Sequence, residues 1–216
     1  MARWNREPWS GFSHGVTALA GVVGTVVLLV IAAGSPWRQA AVGAYGVSLV
    51  LLFLASAAYH LYQGTERGTM WLHRLDHGAI FLLIAGTYTP IAAVVLDGTL
   101  RIAVLALVWT LTAVGVTLKL SMGPGPRKLA VIPYLVMGWL ALPLVWKLAL
   151  TLPAAALAWL VAGGVVYSVG AVVYALKRPD PLPGRFGFHE LWHLFVIGGA
   201  ALHYVLIAGY VAPYAA

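Results

Sequence analysis

Apolar positions run through this chain in long unbroken stretches, and polar residues gather in short groups between them. Seven stretches stand out, at roughly 14–34, 40–62, 73–96, 100–120, 129–150, 154–176 and 187–211. About 20 apolar residues wound as α-helix cross the hydrocarbon core of a bilayer, and each stretch is of that order. The pattern predicts an all-α fold, a seven-transmembrane helix bundle forming one domain over residues 1–216. The breaks carry loop chemistry: Gly34-Ser35-Pro36, Gly64-Thr65-Glu66-Arg67-Gly68, Asp97-Gly98, Gly123-Pro124-Gly125-Pro126, Thr151-Leu152-Pro153, and the run Pro179 to Gly184. None is long enough for a second domain. Pro90, Pro133 and Pro143 fall inside stretches and are expected to kink them, which membrane helices tolerate. The first stretch is longer than a signal-peptide core and lacks a small-residue cleavage site, so it is read as a span.

Composition sharpens this picture. The chain is 62% hydrophobic and only 9% charged, where a soluble domain carries about 25% charged residues. With no cysteine, a disulfide scaffold and a thiolate metal site are both excluded. The net charge of +7 comes without a basic cluster, so no nucleic-acid partner is expected. Basic residues fix orientation instead. Arg3, Arg6, Arg67, Arg74, Lys119, Arg127, Lys128, Lys177, Arg178 and Arg185 lie on the N-terminal side, and Arg38, Arg101 and Lys147 on the other. The N-terminus is therefore expected in the cytoplasm and the C-terminus outside.

Ionisable residues inside spans are costly and mark function. Here Ser56 and His60 end the second span, His73, Asp76 and His77 open the third, and His189, Glu190 and His193 open the seventh. With alternating helix directions, all three groups fall at one depth near the cytoplasmic face. His189 and His193 are four residues apart and share a helix face, so both imidazoles can reach one ion. Zinc takes three protein ligands, with a water in the fourth position if it is catalytic, and His60 is a natural third. Asp76 could bind the metal, hold a water beside it, or orient a histidine.

His189-Glu190-Leu191-Trp192-His193 also reads as the H-E-x-x-H of zinc proteases, in which the Glu is the base. That site needs a further downstream ligand. No Asp or Glu follows Glu190, Gly199 stands where an extended motif would place His, and His203 lies about 15 Å farther along the helix. The protease reading is set aside.

The stretches SAAYHLY (56–62), HRLDHGAIFLLIAGTYTP (73–90) and the run from His189 to Tyr204, with a weaker match in SHGVTALAG (13–21), resemble the hemolysin III family. That family is the bacterial branch of the progestin and adiponectin receptor superfamily, itself similar to the alkaline ceramidases. The resemblance implies a multi-pass protein of the bacterial plasma membrane with a zinc ion near the cytoplasmic face. It implies His60, His189 and His193 as metal ligands, and Asp76, rather than His73 or His77, as the residue holding a water beside the metal. Ser56 matches a serine nearby. The long N-terminal domain of the animal receptors is missing, so hormone reception is not carried over.

Three functions follow as expectations. The first is a zinc-dependent hydrolase of lipid amides or esters, with Asp76 as general base and Ser56 as hydrogen-bond donor, acting on membrane lipids. The second is a non-enzymatic sensor or regulator of membrane composition with structural zinc. The third is a cytolytic pore, disfavoured because no span shows a polar stripe. His73 and His77 are read as interfacial, His14 as an interfacial or bundle contact, and His203 as bonded to another helix. Glu190 is read as an interface residue or one supporting the ligands. The orientation is tested by fusions after Ala216: alkaline phosphatase is expected to be active there and a cytoplasm-restricted fluorescent protein dark, and the reverse pattern contradicts the assignment.

Overall fold

The computed structural model describes residues 7–122, 127–183 and 186–214. Arg3, Arg6, Gly184, Arg185, the expected break Gly123 to Pro126 and the last two alanines lie outside the described residues, as do the side chains of Arg127 and Lys128. Among these residues eight α-helices follow in order: α1 (Pro8–Ile31), α2 (Pro36–Leu61), α3 (Glu66–Pro90), α4 (Gly98–Ser121), α5 (Arg127–Trp139), α6 (Val145–Ala149), α7 (Ala154–Leu176) and α8 (Phe188–Leu206). Seven spans among the described residues are long and apolar enough to cross a membrane, with α5 and α6 sharing the fifth. Among the described residues there is no strand, only an isolated bridge between Leu182 and Phe186.

Several helices start earlier than their apolar stretches suggest, because their first turns are polar and capped. Pro36 opens α2, and the Ser35 side chain accepts from the Arg38 amide. The Thr65 hydroxyl accepts from the Gly68 amide at 3.1 Å, so α3 begins at Glu66 rather than near residue 73. His73, Asp76 and His77 therefore sit two to three turns into α3 instead of opening it.

The expected kinks take specific forms. A proline inside a helix leaves the carbonyl four residues earlier without its amide partner. After Pro90, α3 passes into a π-helical turn over Ile91–Val95, where the Trp37 indole donates to the Ala93 carbonyl at 3.1 Å. Arg101 Nε donates to the Leu96 carbonyl just beyond, at 2.7 Å. Pro143 falls in a 3₁₀ turn, Leu142–Leu144, that interrupts the fifth span. At the end of α5 the helical ladder runs out: the Tyr88 hydroxyl donates to the Met137 and Gly138 carbonyls at 3.1 and 2.9 Å, and the Leu140 amide also reaches the Met137 carbonyl at 3.4 Å. Pro133 stays within α5.

Packing runs α1 on α2, α2 on α3, α3 on α4 and α5, α5 on α7, α7 on α8, and α8 back on α1. The ring closes around α3, the most buried span. Outward positions such as Leu19, Val23, Val30 and Leu150 are exposed, as a surface facing lipid requires. Buried hydroxyls of Thr87 and Thr112 bond back to carbonyls one turn earlier, so no polar group faces hydrocarbon unpaired there.

Small residues set the helix spacing. A methyl group built on Gly86 would overlap the Ser48 side chain, including its Cβ at 2.7 Å, so rotating the hydroxyl does not make room. Gly86→Ala is expected to separate α2 from α3 and cost about 1–3 kcal/mol, read as a lower thermal midpoint in detergent. Gly138→Ala, where a methyl meets nothing within 4 Å, is expected to melt as wild type; equal midpoints for both variants contradict this packing.

Candidate metal centre

The last turn of α2 and the first two turns of α8 bring three imidazoles together. His60 precedes the final residue of α2, and His189 and His193 lie one turn apart on α8. Ring centroids are 5.2 Å apart for His60 and His189, 4.7 Å for His60 and His193, and 4.9 Å for His189 and His193. One ring nitrogen from each can be taken so that all three lie within 4.8 Å of one another. The three histidines are thus placed close enough to hold a metal ion.

The unsatisfied atoms point the same way. His60 Nε2 and His193 Nε2 are buried without a hydrogen-bond partner among the described residues. Leaving a buried nitrogen unpaired costs about 1–3 kcal/mol, a cost that a bound cation removes. Three imidazoles without sulfur suit a borderline transition metal better than calcium or magnesium, which take oxygen ligands.

Helix α1 backs the cluster. The Glu7 carboxylate lies 3.5 Å from His60 Nδ1 and contacts His189 Nδ1. His14 is buried, and its Nε2 lies 2.9 Å from His193 Nδ1. The expectation that His14 contacts the bundle holds, and its partner is one of the three clustered rings. Glu7 carries no signal inside an apolar stretch. The available clue is its place at the start of α1, immediately before Pro8 and two turns ahead of His14.

Asp76 stands apart from the trio, on α3, and is not one of the group whose ligand atoms converge. Its carboxyl approaches the Ser56 hydroxyl, but not in bonding geometry, since Ser56 Oγ is buried without a hydrogen-bond partner among the described residues. Of the other ionisable groups, His73 and His77 pair on α3 with ring centroids 4.3 Å apart. Glu190 accepts the Gly187 amide through Oε2 at 2.8 Å, so it caps the start of α8. His203 donates from Nε2 to the Leu160 carbonyl at 3.1 Å, the interhelical bond expected of it.

Beneath these groups the bundle holds a cavity of about 120 Å³, walled mostly by apolar side chains. Leu52, Ile80 and Val196 line it. Each lies one turn deeper than a polar residue above: Leu52 below Ser56, Ile80 below Asp76 and Val196 below His193.

Known proteins resemble this chain along most of its length. The sequence model described as haemolysin-III related matches residues 2–204. Hemolysin-3 of Bacillus cereus is 34% identical over 94% of this chain and 91% of its own length. The hemolysin-3 homolog of Bacillus subtilis (strain 168) is 36% identical over 93% of this chain and 92% of its own. The human monocyte to macrophage differentiation factor is 25% identical over 92% of the chain and 82% of its own length.

Proposed function

The chain belongs to the haemolysin-III related family and is a multi-pass integral membrane protein of the bacterial plasma membrane; from that premise we propose that it is a zinc-dependent hydrolase of lipid amides or esters, similar in chemistry to the alkaline ceramidases. The observation that carries the reading is the trio His60, His189 and His193, two of whose ring nitrogens are buried without partners, set over an apolar cavity. The cavity suits an acyl chain, and the polar cluster lies above it at the depth where a lipid amide or ester begins. The same end of the bundle holds the N-terminal side, which the distribution of basic residues assigns to the cytoplasm.

Zinc held by His60, His189 and His193 would supply a Lewis acid able to polarise a carbonyl and acidify water. The remaining work falls to the chain. Asp76, across from the trio on α3, takes a proton from the attacking water and returns it to the leaving amine or alcohol. Ser56, whose hydroxyl has no hydrogen-bond partner among the described residues, is placed to donate to the developing oxyanion. The apolar wall below excludes water from the acyl chain.

A second reading has one observation in its favour: the cluster joins α2 to α8, while Asp76 lies outside it. In that reading the metal ties helices together, and the protein senses or regulates membrane composition without turnover. Cytolysis, which the names of the Bacillus relatives carry, would call for a polar-lined passage, and the cavity among the described residues is walled by apolar groups.

The readings separate in one assay. Purified protein loaded with zinc is expected to release fatty acid from labelled N-acyl or O-acyl lipids, and Asp76→Asn to lose about 10²–10⁴-fold in turnover while binding as much zinc. Undiminished turnover in Asp76→Asn contradicts the assignment of the base. Absence of turnover on both lipid classes, with zinc still raising the melting midpoint, supports the helix-tying role and overturns the hydrolase.

A further inference from the structure

We propose that Glu7 is a positioning residue of the metal centre: its carboxylate accepts from the Nδ1–H groups of His60 and His189 and so turns the opposite nitrogen of each ring toward the ion. The inference rests on the metal-centre reading above and concerns a residue outside the three histidines and Asp76.

Glu7 immediately precedes Pro8, the first residue of α1. The docking of α1 on α2 and α8 therefore fixes where its side chain starts. The side chain is 23% exposed, against 4% for His60 and 18% for His189, so it closes the cluster on its outer side. Its oxygen Oε2 meets Nδ1 of both rings.

A carboxylate only accepts, whereas a neutral imidazole carries one N–H and one bare nitrogen. The nitrogen facing Glu7 is thus the protonated one, and Nε2 keeps its lone pair. At His60 the geometry is consistent with that division, since its Nε2 is buried without a partner among the described residues. His193 has a different neighbour: its Nδ1 lies 2.9 Å from His14 Nε2, and its Nε2 is buried without a partner among the described residues. Metal-binding histidines commonly pass their second N–H to a carboxylate or similar acceptor, which locks the tautomer and makes the ligand more basic.

Charge gives an independent reason. A divalent cation on three neutral imidazoles brings two positive charges into a surrounding of low dielectric, where uncompensated charge is costly. Glu7 supplies one negative charge in contact with two of the ligand rings. Glu7 as a fourth ligand fits less well. Its carboxylate is not among the atoms that converge on one another, and it meets the Nδ1 edge of His60, whose orphaned nitrogen is Nε2.

The test uses the purified full-length chain, stripped of metal. Zinc affinity is measured against a chelating competitor, and cobalt(II)-loaded protein is followed by visible absorption. Glu7→Ala is expected to weaken zinc binding by about 10–100-fold and to shift the cobalt bands while preserving their tetrahedral intensity. Glu7→Gln, which keeps an oxygen acceptor without the charge, is expected to fall between Glu7→Ala and wild type. Wild-type affinity in both variants overturns the positioning role. Collapse of the cobalt intensity in Glu7→Ala makes Glu7 a ligand and overturns it as well. Wild-type protein that takes up no zinc overturns the metal centre, and this inference with it. Glu7→Gln is nearly isosteric, so its affinity decides the case if Glu7→Ala does not fold.

Discussion

Imidazoles sunk inside a membrane bundle must find partners within the protein, because hydrocarbon offers none. That constraint organises one whole end of this molecule. His60, His189 and His193 come from two helices separated by more than a hundred residues, yet their rings touch. On the outer edges of the rings the demand is met by α1, through Glu7 toward His60 and His189 and through His14 toward His193. On the inner edges of His60 and His193 no partner is found among the described residues. Satisfied on one side and open on the other, the three rings are placed close enough to hold a metal ion.

The rest of the fold keeps that cluster in place. Helix α3, wrapped by its neighbours, carries Asp76 toward the trio, while Gly86 lets α2 approach closely enough for Ser56 to come near Asp76. Glu190 pins the first turn of α8, so the pair four residues apart starts from a fixed backbone. Below the polar level, apolar side chains take over and leave a cavity one turn deeper. Polar chemistry and apolar storage are thus stacked along the same three helices. At the far end, π-helical turns close both α3 and α8, and Trp37 and Arg101 meet carbonyls in the α3 segment.

Much of this was legible in the sequence because two periodicities are strong. Apolar stretches of membrane length gave the spans, and the spacing of His189 and His193 placed both on one face of α8. His60 was legible because alternating helix direction put it at the same depth. Helix starts were less so. Hydropathy marks where a helix enters lipid, whereas Thr65 and Ser35 mark where the backbone begins to wind, and those points differ by several residues in α3 and α2. Glu7 was missed for the same reason, as it sits at a helix start outside the apolar stretch. Glu190 invited a catalytic reading through the H-E-x-x-H spacing, but its carboxylate folds back to the Gly187 amide, a local bond that ligand spacing does not reveal.

The proposed chemistry requires a cation held by imidazoles from α2 and α8. X-ray absorption at the zinc edge of protein purified without chelator tests it most directly. The account predicts nitrogen neighbours at about 2.0–2.1 Å with the outer-sphere signal of three imidazole rings, falling to two in His60→Ala. A zinc environment of oxygen alone, or an imidazole signal unchanged by His60→Ala, would contradict it.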